Sequence, residues 1–188
     1  RLAAYGVPGV GVAVIEGGEV AWAGGFGVRE QGGTTQVDEN TMFMGASTSK
    51  PVTAFLVLQH VERGLIDLDV DINRYLKRWQ VPENEFTRRF PVTLRTALSH
   101  TAGLTVGGWP SHRRGDPVAT IMDVLEGRPV AGQGAVFVNK TPGGTERYSG
   151  GGFVLAQMLL EDVTGRSFAD LAEEYIFQPL GMRHTTFA

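Results

Sequence analysis

GASTSKPVTAF, residues 45–55, places Ser47, Thr48, Ser49 and Lys50 between a Gly-Ala pair and an apolar run. Val52, Phe55, Leu56, Leu58 and Val61 follow at helical spacing, and Gly64 is a candidate C-cap. This predicts a helix from Ser47 or Thr48 to Arg63, with Pro51, which has no backbone N–H, tolerated in its first turn. In S-x-x-K at a helix start, residues i and i+3 share a face, so the Ser47 and Lys50 side chains can meet. Desolvation would help the lysine lose its proton, and the free N–H groups and dipole of the helix N-terminus favour a developing oxyanion. Two readings stand: an ordinary hydroxyl-rich cap with an exposed lysine, or a serine nucleophile with its own base. The stretch itself contains no histidine.

Upstream, Val10, Val12 and Val14 alternate with small residues, and Val20, Trp22, Phe26 and Val28 follow a Gly17-Gly18 turn, which predicts a β-hairpin over 9–28. Downstream, LIDLDVDINRYL (65–76) alternates Asp67, Asp69 and Asp71 with apolar residues. It lacks the glycine and the closing glutamate of a calcium loop and reads as a capped turn with a solvated acidic face. TLRTALSH (93–100) reads as a helix, and residues 105–147 are Gly-, Pro- and Arg-rich and irregular apart from a short helical candidate at Val118–Leu125. Gly152–Thr164 and Ser167–Phe177 read as two helices separated by Gly165-Arg166, with Pro179 ending the second. The glycine pairs between 143 and 152 read as turns.

Composition narrows the function classes. With 188 residues, 42% hydrophobic and 20% charged, the chain is of one-domain size and globular. A net charge of −3 and no basic run argue against nucleic acid, and no apolar stretch approaches the ~18 residues of a membrane span. There is no cysteine, which removes disulfides, thiolate catalysis and Cys-based zinc sites. His60, His112 and His184 are scattered without ligand spacing, so no metal site is expected. Ser99 and His100 are adjacent and do not face each other on a helix, so His100 reads as a structural histidine at a helix end. Trp109 is a candidate for lining a substrate pocket or for packing its loop to the body. The chain opens on Arg1 rather than Met, and the expectation is a trimmed or processed N-terminus, with a bacterial periplasmic or secreted setting favoured over a cytoplasmic one.

Four blocks in order, GASTSKPVTAF, LSHTAGL (98–104), TPGGTERYSGGGFVLAQMLLEDVTG (141–165) and IFQPLGMRHTTF (176–187), follow the PGVGVAVIEGGEV hairpin. Together they resemble the serine β-lactamase-related hydrolases: class C β-lactamases, D-alanyl-D-alanine peptidases, D-aminopeptidases and esterases. The resemblance implies that Ser47 is the acylated nucleophile, Lys50 its partner one turn on, and Tyr148 the phenol that shuttles protons. A tyrosine of pKa ~10 needs a neighbouring cation for that task, which Lys50 would supply.

The sequence departs from the family pattern at two places. The family's Tyr-x-Asn is here Tyr148-Ser149-Gly150, so Gly150 stands where an asparagine would contact lysine and substrate; this puts strong β-lactam hydrolysis in doubt. The family's third motif, Lys-Thr-Gly or His-x-Gly on a later strand, is not found. Lys140-Thr141-Pro142-Gly143 precedes Tyr148 and is interrupted by proline, as suits a turn. The expected fold is α/β (α+β), β-lactamase/transpeptidase-like: an antiparallel sheet flanked by helices plus an all-helical region, lacking its C-terminal strands. The expected organisation is the N-terminal portion of one catalytic domain, with the hairpin and nucleophile helix at 1–64, a mainly helical region at 65–165, and a return helix at 166–188. A C-terminal fragment or second chain is expected to complete the sheet. The expected function is acyl-enzyme hydrolysis of small esters, D-amino-acid peptides or amides, or β-lactams, with no cofactor. The alternatives are a penicillin-recognising binding protein with little turnover and a structural or filament-forming relative. Substrate-site candidates are Gly150 and Trp109.

Overall fold

The computed structural model describes residues 2–111 and 115–187, so His112 lies outside the described residues. The chain divides into two compact units, Arg1–Ala46 with Met182–Thr185, and Ser47–Gly181 with Thr186–Ala188. The helix that follows Ser47 thus groups with the helical part of the chain, not with the hairpin.

In the first unit, β1 (Gly9–Glu16) and β2 (Glu19–Gly27) pair antiparallel through a turn in which Gly17 and Gly18 both have positive φ, 60° and 88°. The register slips between Val14 and Ile15, a bulge of the kind that twists a ribbon. Phe43 lies against the backbone at Gly11, where an added Cβ would sit 3.1 Å from the ring. The sheet is two-stranded. Val14, Trp22 and Phe26 remain 48%, 45% and 53% exposed.

The second unit is helical. A 3-10 turn at Ala46–Thr48 runs into α1 (Ser49–Glu62), which ends at Arg63 with Gly64 left-handed. α2 (Leu94–Leu98) starts at a reciprocal capping box between Thr93 and Thr96, and α3 (Ile121–Glu126) at one between Thr120 and Asp123. α4 (Gly150–Thr164) is the hub, packing on α1, α2, α3 and α5 (Phe168–Ala172). Leu155, Met158, Leu159 and Leu160 of α4 are buried with Leu56 and Val57 of α1, Leu94 of α2, Leu125 of α3 and Leu171 of α5. After α5 the backbone widens into a π-helical turn, Glu173–Phe177, where one continuous helix was expected.

Gly150, Gly151 and Gly152 correct the sequence reading. They form no turn and instead make the first helical turn of α4, with all three buried. A Cβ at Gly152 would lie 2.9 Å from the Ala97 carbonyl oxygen, so the bare backbone is what lets α2 and α4 approach. The acidic segment 65–76 is a capped turn: Asp71 accepts from the Asn73 N–H, and Asp69 pairs with Arg95.

Candidate active site

The chemistry-bearing residues come from three parts of the helical unit: the entry to α1, the segment before α4, and the end of α2. Ala46 has φ 44°, a left-handed conformation unusual for alanine, and Ser47 follows it in the 3-10 turn. Lys50 lies one turn further on and is half-buried. Its Nζ donates to Ser47 Oγ at 3.0 Å, and Ser47 Oγ lies 2.7 Å from Tyr148 Oη. The Lys50 ammonium also stands 4.8 Å from the centre of the Tyr148 ring and 5.5 Å from that of Phe153. A lysine, a serine and a tyrosine thus share a short chain of polar atoms at the mouth of a helix.

The surroundings of Tyr148 make its hydroxyl more acidic than usual. Hydrogen bonding to Lys50 first and then to Ser47 holds the Tyr148 hydroxyl below its ordinary pKa; burial opposes this, and the lysine charge adds a lesser lowering. Tyr148 is 47% exposed, so its position is set by what it touches.

His100 is one such contact. Its backbone is left-handed, with φ 61°, and its ring lies tilted against Tyr148, with centroids 4.5 Å apart, and against Phe153 at 5.4 Å. Its Nδ1 accepts from the Ser149 N–H at 3.1 Å, and its carbonyl accepts from the Arg147 N–H at 2.8 Å. Burial, and then the Lys50 charge, hold its pKa below the usual value, which keeps the ring neutral. Sequence reasoning placed His100 at a helix end, where it is, and missed its contact with the tyrosine. Ser99 turns away, bonding the Arg95 carbonyl and Thr101.

Ser149 is 3% exposed. Its hydroxyl donates to the carbonyls of Thr105 and Val106, at 2.8 and 3.2 Å, and so anchors the irregular loop to the start of α4. It is therefore not free to stand in for the absent asparagine. Val106 sits at φ 62°, a strained conformation for a β-branched residue, and its carbonyl also accepts from the Gly151 N–H. Trp109 of the same loop covers Gly150: a Cβ there would come 2.9 Å from the indole and 3.0 Å from the Gly107 oxygen. The indole Nε1 is buried without a partner among the described residues. Gly150 is thus enclosed at the helix start, beneath the tryptophan. Lys140–Gly143 forms a turn, with Gly143 at φ 79° and its N–H bonded to the Thr101 carbonyl.

His60 is buried, with Nδ1 against the Leu56 carbonyl and its ring edge-on to Tyr175. Among the described residues no three potential metal-binding side chains cluster, and no helix is long and apolar enough to cross a membrane.

A β-lactamase family model matches residues 1–188. An unguisins hydrolase of Aspergillus violaceofuscus is 32% identical over 98% of this chain and 32% of its own length. Among solved structures, an octameric penicillin-binding protein homologue from Pyrococcus abyssi superposes with a TM-score of 0.77 at 26% identity, covering 97% of this chain and 41% of that one. A D-amino acid amidase from Ochrobactrum anthropi gives 0.76 at 28% identity, covering 96% and 47%. The chain thus spans less than half the length of each of these relatives.

Proposed function

This chain belongs to the β-lactamase family, and from that premise we propose that it carries the acylation half of a serine hydrolase acting on small esters, D-amino-acid peptides or amides, or β-lactams. The observation that carries this reading is the contact chain Lys50 Nζ–Ser47 Oγ–Tyr148 Oη, at 3.0 and 2.7 Å. Tyr148, as phenolate, takes the proton of Ser47 Oγ while that oxygen bonds to the substrate carbonyl carbon. The tetrahedral intermediate collapses when Tyr148 returns the proton to the departing amine or alkoxide. Water then attacks the acyl-enzyme, Tyr148 accepts the water proton, and Ser47 leaves and recovers one. Lys50, through its hydrogen bond to the hydroxyl, makes the Tyr148 proton easier to lose than that of an ordinary tyrosine.

The D-amino acid amidase among the relatives supports amide substrates, and the unguisins hydrolase supports hydrolysis. Gly150, enclosed under Trp109, supports a second reading, a penicillin-recognising protein with little turnover, because no side chain at that position reaches the lysine. The same proposal includes further polypeptide, in cis or as a second chain, that pairs with the apolar hairpin.

A fluorophosphonate or fluorescent penicillin probe tests the proposal. Labelling that disappears in Ser47→Ala supports a reactive serine, and release of the adduct with time separates an enzyme from a trap. Equal labelling of the parent protein and Ser47→Ala overturns it.

A further inference from the structure

Tyr148 has to hold its hydroxyl against Ser47 although nearly half of its surface is open to solvent. Three contacts of one residue fix it. The residue before it, Arg147, donates its N–H to the His100 carbonyl, and the residue after it, Ser149, donates its N–H to His100 Nδ1. The imidazole itself lies on the Tyr148 ring and is backed by Phe153. We propose that His100 is the positioning residue for Tyr148, clamping both flanking peptides and one ring face, and that it does so only as the neutral Nε2–H tautomer. This rests on the reading of Tyr148 as the proton acceptor for Ser47.

The tautomer follows from hydrogen-bond directions. A backbone N–H can only donate, so Nδ1 must be bare, and the neutral ring then carries its proton on Nε2. Protonation would set Nδ1–H against the Ser149 N–H, donor against donor, and release one side of the clamp. The charged and titratable groups facing the ring are Lys50 from α1 and Glu146 and Tyr148 from the segment before α4; from α4 itself the facing group is the Phe153 ring. Lys50 opposes a second positive charge, Glu146 favours it, and burial opposes it most. The ring therefore stays neutral until the pH falls below the ordinary histidine value.

The consequence is a second acid titration. The rate at which a fluorophosphonate labels Ser47 should fall by about tenfold per pH unit while only the Tyr148 phenolate is being lost. Below the His100 titration the fall should steepen towards about a hundredfold per unit. His100→Asn retains an acceptor oxygen near the place of Nδ1, tolerates the left-handed backbone and does not titrate. Its labelling at pH 8 should be slower by about two- to tenfold, for the lost ring contact, with the steeper limb absent. A steep limb unchanged in His100→Asn overturns the proposal. So does a parent profile that flattens at low pH, the outcome if the new charge merely stabilised the phenolate. Imidazole nitrogen NMR of the parent protein, which needs no variant to fold, should report Nε2–H for His100; Nδ1–H overturns the clamp. Ser47→Ala is run alongside. If it still labels, the nucleophile reading fails; if it is silent while His100→Asn keeps the steep limb, only the clamp fails.

Discussion

Lys50 touches the serine and also charges the tyrosine's surroundings, and substitution separates the two effects. In Lys50→Met the Tyr148 hydroxyl loses the largest influence lowering its pKa. We expect probe labelling of Ser47 at pH 7.5 to drop by about 10²–10⁴-fold and its dependence on pH to move upward, as measured by labelling rates across pH. Tyr148→Phe keeps the ring against His100 but has no hydroxyl, so it should lose a similar factor with little change in melting temperature. The Ser47–Lys50 pairing was legible because spacing i, i+3 on a helix needs no knowledge of the fold. Tyr148 was legible only from the order of motif blocks. His100 and Tyr148 are far apart in sequence, and a ring contact between them leaves no local pattern to read. Trp109 and Gly150 are likewise joined only by the fold.

Helices α1 and α4 declared themselves by apolar spacing, but the start of α4 did not, because glycine is a poor helix former and three in a row read as a loop. Packing overrides that preference. Gly152→Ala would gain helix propensity yet press on the Ala97 backbone at 2.9 Å, which cannot rotate away. We expect a net loss of about 1–3 kcal/mol in urea unfolding. Asp162, near the other end of α4, accepts the backbone N–H groups of Lys77 and Arg78 and the Arg78 guanidinium, fastening the segment after the acidic turn. Burial pushes its pKa up, but these donors outweigh burial and the net shift is downward. Its contribution is therefore present above the unfolded carboxylate's pKa and is lost as the pH falls through the lower folded value. Asp162→Asn should cost about 1–3 kcal/mol at neutral pH, with a smaller difference from the parent in strong acid, read by thermal melts. No sequence pattern announced this contact, since residues 77–78 carry no signal for a partner on a helix so distant in the chain.

Over the whole molecule, the two-stranded sheet was legible from alternation and the Gly-Gly turn. A lone hairpin is marginal in water, and this one leaves Val14, Trp22 and Phe26 about half exposed. We expect amides of 9–27 to exchange hydrogen rapidly when the 188-residue chain stands alone, and more slowly by tenfold or more once longer polypeptide pairs with the hairpin, as measured by hydrogen-exchange mass spectrometry. Equal rates would argue that nothing pairs there. The division of the chain at residue 46 was not legible, because it depends on long-range packing. The tryptophan lid over Gly150, finally, constrains how this sequence can change through descent. An asparagine at 150 would bring its Cβ within 2.9 Å of the indole and 3.0 Å of the Gly107 oxygen, so side chain and backbone of the loop both stand against it. Residue 150 and the loop above it therefore form one coupled unit, in which a side chain at 150 requires the 107–109 backbone and indole to move together.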